Sequence, residues 1–270
     1  MSKRDVCSKY KDKLRKMKQL AYCFGGKEVE KFYDYAGPRY KRDQLSLFRY
    51  DRFRPGYDIN LKNIFLSCNG RLNDIFEGIA ETNIDGNELN EQITRLEHFA
   101  YIKCFTETPT NNLMWAHYAD NYSGLCFEYD LSLLKEDNEC IRRMMPVIYS
   151  KKRSGGMEIC DMADSANDII DEDWITDSNG FFYVKANHWR YEKEWRCVFL
   201  KNEIEKQTNN IESIDMEFDC VKTIYLGPRA TKENIKKICN TIGEYKKEQG
   251  REIDVKQIVL NSNTYDLEIQ

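Results

Sequence analysis

The run Trp189-Arg190-Tyr191-Glu192-Lys193-Glu194-Trp195-Arg196-Cys197-Val198-Phe199-Leu200 constrains the fold most, because it passes from polar to apolar while alternating with a period of two. Read as one strand, it sets Glu192, Glu194 and Arg196 on one face and Trp195, Cys197 and Phe199 on the other. Side chains two residues apart on a stiff strand are about 7 Å apart. Two carboxylates and a guanidinium at that spacing, backed by a tryptophan, suit a chemical site. An edge strand carrying a solvated ion pair has the same pattern.

The chain of 270 residues is long enough for one large domain, or one domain with an extension. Its 41% hydrophobic residues supply a core. With 41 basic against 45 acidic residues well mixed, overall charge gives no support to unaided nucleic-acid binding, although the first 54 residues are locally basic. Ten cysteines are scattered without a C-x-x-C pair, which disfavours a zinc ribbon or redox motif, and no structural metal is expected. No signal peptide and no apolar run near 18 residues are visible, so the expectation is a reduced, cytoplasmic protein without a membrane span.

The pattern along the chain predicts an amphipathic, helical N-terminal extension over 1–44, which packs on the main domain or binds a partner protein. Residues 45–270 read as a single α+β domain with a central mixed, mainly antiparallel sheet flanked by helices. Strands are expected at 45–50, 63–67, 101–105, 124–130, 145–149, 189–200, 221–226 and 255–260, the last closing the sheet. Helices are expected at 87–99, 112–120 and 232–249, with an acidic, mainly helical insert at 158–188. In the last helix Ile235, Ile238, Ile242 and Tyr245 form one apolar stripe.

Several constellations carry chemical potential. His117 and Tyr118 share a helix face with Met114, beside Trp115; the alternative is a core-facing stripe with a satisfied histidine. In Asn73-Asp74-Ile75-Phe76-Glu77, Asn73 or Asp74 can cap a helix with Glu77 reaching back, or Asp74 and Glu77 can form half of an acidic pocket. Arg49 and Arg52 alternate with Phe48, Tyr50 and Phe53, where a guanidinium can clamp a phosphate or form a salt bridge to Glu192 or Glu194. There is no G-x-G-x-x-G, Walker A lysine or G-x-S-x-G, which disfavours dinucleotide folds, phosphoryl-transfer ATPases and hydrolase elbows.

Taken in order, Leu47-Phe48-Arg49-Tyr50, Asn73-Asp74-Ile75-Phe76-Glu77, Met114-Trp115-Ala116-His117-Tyr118-Ala119-Asp120 with Gly124, and Trp189-x-Tyr191-Glu192-x-Glu194-Trp195-Arg196 resemble the bacterial and phage domain-of-unknown-function family DUF2971 over roughly residues 45–230. Ile75 departs from the family's usual proline, which touches turn rigidity more than chemistry. A second resemblance is to mono-ADP-ribosyltransferases, in the order of an early strand arginine, the aromatic-x-Ser strand Phe65-Leu66-Ser67 and a late Glu-x-Glu. It implies that Arg49 holds the pyrophosphate of NAD and Ser67 braces the site, with Arg196 beside them. Glu194 then stabilises the oxocarbenium-like transition state, and Glu192 orients the acceptor. Tyr118, Trp115 or Tyr50 would stack on nicotinamide. The acceptor would be a protein or nucleic acid, and the cellular role that of a toxin or anti-phage effector. Two other readings stay open. One is a nuclease with Mg²⁺ on Asp74, Glu77 and Glu194 and His117 as base. The other is a non-enzymatic module that senses a nucleotide or a phage protein.

Overall fold

A computed structural model describes residues 46–54, 56, 59–68, 72–74, 76, 100–135, 138–151, 180–200 and 213–270. The expected helical extension, the helix expected at 87–99 and most of the acidic insert lie outside these residues. The insert's last part, 180–188, is described, and it is not α-helical. Gly180–Tyr183 forms a 3-10 turn, followed by a short strand.

Two five-stranded sheets make the frame. The first holds β1 (Ser46–Asp51), β4 (Leu125–Asp130), β10 (Val221–Leu226), β11 (Asp254–Leu260) and β12 (Leu267–Ile269) in that spatial order. The second runs β5 (Met144–Pro146), β8 (Trp195–Leu200), β3 (Ala100–Phe105), β2 (Asn63–Cys68) and β9 (Ser213–Glu217), with every pairing antiparallel. A parallel pair, β6 (Ile148–Ser150) with β7 (Val184–Ala186), stands apart. The sheets are tied where Phe48 and Thr106 exchange backbone hydrogen bonds of 2.8 and 2.7 Å. The fold is thus α+β with mixed, mainly antiparallel sheets, as expected.

The parallel step from β10 to β11 needs a crossover, and the long helix α3 (Lys232–Gln249) supplies it. Its limits follow from sequence. The Thr231 side chain accepts from the Asn234 N–H at the start, and Gly250 takes a left-handed φ of 68° at the end. Ile238 and Tyr245 are buried, and Ile235 and Ile242 pack against the same core. Helix α1 (Asn112–Tyr118) is capped by the Asn111 side chain on the Met114 N–H, while α2 (Glu139–Arg142) is a single turn capped by Asn138.

Three expectations need correction. The strand expected over 189–200 begins at Trp195. Residues 187–192 form a 3-10 turn and Lys193 is left-handed, with φ 45°. The reason is visible in the backbone: the Tyr191 carbonyl accepts from Asn111 Nδ2 at 2.7 Å and the Glu192 carbonyl from Thr106 Oγ1 at 2.5 Å, so side chains take the place of a strand partner. The strand expected at 145–149 splits into β5 and β6 around Val147. Finally, β11 does not close its sheet, because β12 pairs antiparallel on its outer side.

A tight turn leaves α1. Asp120, Asn121 and Tyr122 have φ of 47°, 50° and 71°, a run of left-handed residues without a glycine. It is held by the Tyr122 N–H on the Trp115 carbonyl and by Arg229 N–H on the Tyr122 carbonyl, both 3.1 Å. Close approach explains the glycine opposite: a Cβ on Gly227 would lie 2.1 Å from the Tyr122 carbonyl oxygen. Gly243, inside α3, faces open space. Gly227→Ala is therefore expected to lower the midpoint of chemical denaturation, whereas Gly243→Ala should raise stability by about 1 kcal/mol through helix propensity. Urea melts of the two variants side by side check the contrast.

Candidate active site: a buried carboxylate pair

The site assembles from three stretches of chain. Lys185 on β7 projects its Nζ between two carboxylates, 2.6 Å from Glu192 Oε2 and 3.0 Å from Glu194 Oε2. The left-handed Lys193 turns the chain so that both glutamates reach one ammonium group. Arg196 on β8 grips Glu194 with two bonds, Nε to Oε1 at 2.7 Å and Nη2 to Oε2 at 3.1 Å. Its remaining nitrogen, Nη1, donates to the Phe182 carbonyl at 2.6 Å. All four side chains are at most 4% exposed.

The third stretch is α1. The Tyr118 hydroxyl donates to Glu192 Oε1 at 2.5 Å and accepts from Asn73 Nδ2 at 2.5 Å. Tyr118 is half-buried, so it forms the end of the cluster nearest to solvent. Beside it, Trp189 and Tyr191 stand with ring centroids 6.1 Å apart, and Lys185 Nζ sits 4.9 Å above the Trp189 ring.

The two glutamates are driven in opposite directions. Burial pushes the Glu192 carboxyl up to about 7, with Glu194 adding repulsion and Lys185 opposing both. Burial would raise Glu194 too, but the Arg196 guanidinium and the Lys185 ammonium outweigh it and hold that carboxyl well below the usual range. The Tyr118 phenol is raised by burial and then by the Glu192 charge, which keeps it a proton donor. Glu194 is thus a fixed anion, and Glu192 a group that gains and loses its proton near neutrality.

The other expected residues are placed differently. His117 is exposed on the outer side of α1, its ring 6.3 Å from that of Tyr118. It belongs neither to a core stripe nor to the cluster. Trp115 is fully buried, donates Nε1 to the Pro109 carbonyl at 2.7 Å and meets Tyr50 edge-on at 5.2 Å. Tyr50 is also buried and donates to the Thr108 carbonyl at 2.9 Å. Neither ring has a face left for nicotinamide. Arg49 and Ser67 line a separate cavity that contains no member of the carboxylate cluster. Within β1, Phe48 and Tyr50 pack with Trp115 of α1 while Arg49 looks to the other side, its guanidinium 3.7 Å from Asp51 rather than paired with Glu192 or Glu194. Asn73 donates to Tyr118, and Asp74 is buried and accepts from the Phe76 N–H at 3.0 Å, while the residues of the helix they were expected to cap lie outside the described residues. Glu77 lies outside the described residues. Among those residues no group of three histidine, cysteine or acidic side chains is placed to hold a metal, and both Glu194 oxygens already face cations.

Three residues support the site in ways that the sequence does not show. Lys185 falls in the stretch read as an acidic insert, although a lone lysine inside Phe182-Tyr183-Val184-Lys185-Ala186 is itself a signal. Asn111 joins α1, β1 and the 3-10 turn, since its N–H donates to the Tyr50 hydroxyl at 3.0 Å in addition to its cap and its bond to Tyr191. The Tyr149 hydroxyl receives the Glu194 N–H at 2.8 Å.

Removing one charge from this set leaves others buried without compensation. Glu194→Gln is expected to cost about 3–5 kcal/mol in denaturant unfolding. Glu192 makes a pH-dependent contribution of known sign. Its folded pKa is raised, so the folded state holds the extra proton, and stability falls as pH rises from the ordinary carboxylate range to about 7. Wild type should therefore lose stability relative to Glu192→Gln across that window, by at most about 1.4 kcal/mol per pH unit, as read from melts at a series of pH values.

Residues 114–197 match the family described as a protein of unknown function, DUF2971. Tyr118, Lys185, Glu192, Glu194 and Arg196 all fall inside this span, while the motifs at 47–50 and 73–77 fall outside it, so the match is narrower than the 45–230 expected. No curated protein and no solved structure matches the chain. No helix among the described residues is long and apolar enough to cross a membrane.

Proposed function

We propose that this chain is an enzyme that cleaves the N-glycosidic bond of a nicotinamide dinucleotide, in the manner of an ADP-ribosyltransferase, with Glu192 as its working carboxyl. One observation carries the reading: two carboxylates share one ammonium, and only Glu192 is also reached by a hydroxyl from the half-exposed Tyr118. Carboxyl pairs whose surroundings push them apart supply the fixed charge and the proton carrier that glycosidic chemistry requires.

The bond from the ribose anomeric carbon to the nicotinamide nitrogen breaks, and nicotinamide leaves with the electron pair. The ionised Glu192, whose Oε1 faces the half-exposed Tyr118 and not a cation, favours the positive charge that develops on the sugar. An acceptor oxygen or nitrogen then bonds to the anomeric carbon, and its proton passes to Glu192. A base that titrates near 7 suits that step at neutral pH. Tyr118 keeps Glu192 oriented, and Trp189 with Tyr191 offers the aromatic surface that Trp115 and Tyr50 cannot. The metal-dependent nuclease reading is less favoured, because a divalent ion at Glu194 would meet Arg196 and Lys185.

Incubation of the purified chain with NAD labelled in each half is expected to release nicotinamide, and to label an acceptor when one is present. Glu192→Gln, which spares the Arg196–Glu194 pair, should lower the rate by about 10²-fold or more, and Tyr118→Phe by less. Wild type that leaves NAD intact over a full range of candidate acceptors would refute the activity. At the level of the cell the reading places the chain as a toxin or anti-phage effector. Induced expression should slow bacterial growth and Glu192→Gln should relieve it, as colony counts with and without phage would show.

A further inference from the structure

On the side of β1 that faces away from α1 lies a cavity of about 110 Å³. Five cationic side chains line it, Arg49, Arg52, Arg54, Lys103 and Lys237, against the single carboxylate of Asp51 among the described residues. A surface patch of like charges is solvated by water, but here Lys103 and one nitrogen of Arg49 are not. Lys103 is buried and donates its Nζ to the Phe65 carbonyl at 3.0 Å. Arg49 Nε is buried and makes no hydrogen bond, although its Nη1 reaches the Cys104 carbonyl at 3.4 Å. A buried amine beside a guanidinium whose Nε has Asp51 at 3.7 Å but no hydrogen bond is better served when a second anion meets both groups.

Ile59, Asn60 and Phe65 form the common wall with a second hollow of about 460 Å³, bounded on its far side by α3 through Thr241, Glu244 and Glu248. The pair is polarised. The small end is cationic, whereas the large end holds Glu244 and a Glu248–Lys62 pair at 2.7 Å beside the rings of Phe65 and Tyr245, a mix of polar and aromatic groups that suits the hydroxyls and base of a nucleoside. We propose that these adjoining hollows bind a nucleotide, its phosphoryl groups among Arg49, Lys103 and Lys237 and its nucleoside past Phe65. Planar guanidinium and phosphoryl oxygen fit in bidentate fashion, which favours a phosphate over a lone carboxylate. The assignment does not rest on the reaction at Glu192. Among the described residues, Cys104 stands between the two sites, its carbonyl facing Arg49 while its thiol bonds Glu194.

Binding should take up a proton. In the free chain Lys103 is held well below its ordinary range by burial, then by Arg49 and Arg54, with Asp51 and Cys104 opposing, and Lys237 of α3 adds a further cation to the lining. A phosphoryl group alongside restores its charge, so affinity falls as pH rises.

The test is calorimetric titration of the full chain with ADP, GDP, UDP, pyrophosphate and adenosine, in two buffers of different ionisation enthalpy. At least one nucleoside diphosphate should bind about tenfold or more tightly than both adenosine and pyrophosphate, with net proton uptake. Lys103→Met, which places an apolar chain of similar length in a buried position, should abolish the uptake and weaken binding about tenfold or more, as should Arg49→Gln. Glu192→Gln should leave the affinity unchanged. No binding by any of the three diphosphates, pyrophosphate binding as tightly as the best of them, or wild-type affinity in Lys103→Met or Arg49→Gln would overturn the assignment. Nicotinamide release from NAD is measured separately, so either proposal can fail while the other stands.

Discussion

Two acids and two bases taken out of water together set the terms for this half of the molecule. Each of Lys185, Glu192, Glu194 and Arg196 would be prohibitive to bury alone. As a set they neutralise one another, and the remaining donor of Arg196 is absorbed by the Phe182 carbonyl. The chain has to deliver them from separate segments at hydrogen-bonding distance, and that requirement accounts for the local geometry. It explains why a 3-10 turn and a left-handed lysine precede β8 where a longer strand would otherwise run, and why β7 exists at all as a three-residue strand.

Around this cluster the two sheets are joined by little backbone. The reciprocal bonds of Phe48 and Thr106 link them, and Thr106 also holds the Glu192 carbonyl through its side chain. One residue therefore couples sheet pairing to the position of the protonatable carboxyl. Cys104, two residues earlier, touches Arg49 with its carbonyl and Glu194 with its thiol. β3 thus carries both a wall of the cation-lined cavity, through Lys103, and a support of the carboxylate pair, through Cys104.

The elements legible in the sequence are those whose signals are local. α3 shows its cap, its stripe and its terminal glycine, and its limits of 232 and 249 are those expected. α1 shows Asn111 or Asn112 before an apolar turn, and β1, β2, β3, β4 and β10 are apolar runs bounded by turn residues. β9 and β12 were not legible, because Ser213-Ile214-Asp215-Met216-Glu217 and Leu267-Glu268-Ile269 are too short and too polar to stand out from loops. In the site, Glu192, Glu194, Arg196 and Tyr118 stand out as residue types, yet their roles depend on partners remote in sequence. Nothing local to Arg196 says that it clamps Glu194 rather than a ligand, and nothing local to Glu192 says that Lys185 will meet it. Trp115 and Tyr50 illustrate the opposite error: aromatic residues near a motif suggest stacking surfaces, but their polar atoms bond backbone carbonyls inside the core.

The turn at Asp120, Asn121 and Tyr122 follows directly on Tyr118, and its backbone leans on Gly227 from across the sheet. Helix α1 is only seven residues long, too short to hold its own orientation, so the angle at which it presents its last side chain is inherited from this clasp. A residue a hundred positions away, with no functional group of any kind, thereby acts as the rest against which the hydroxyl is aimed.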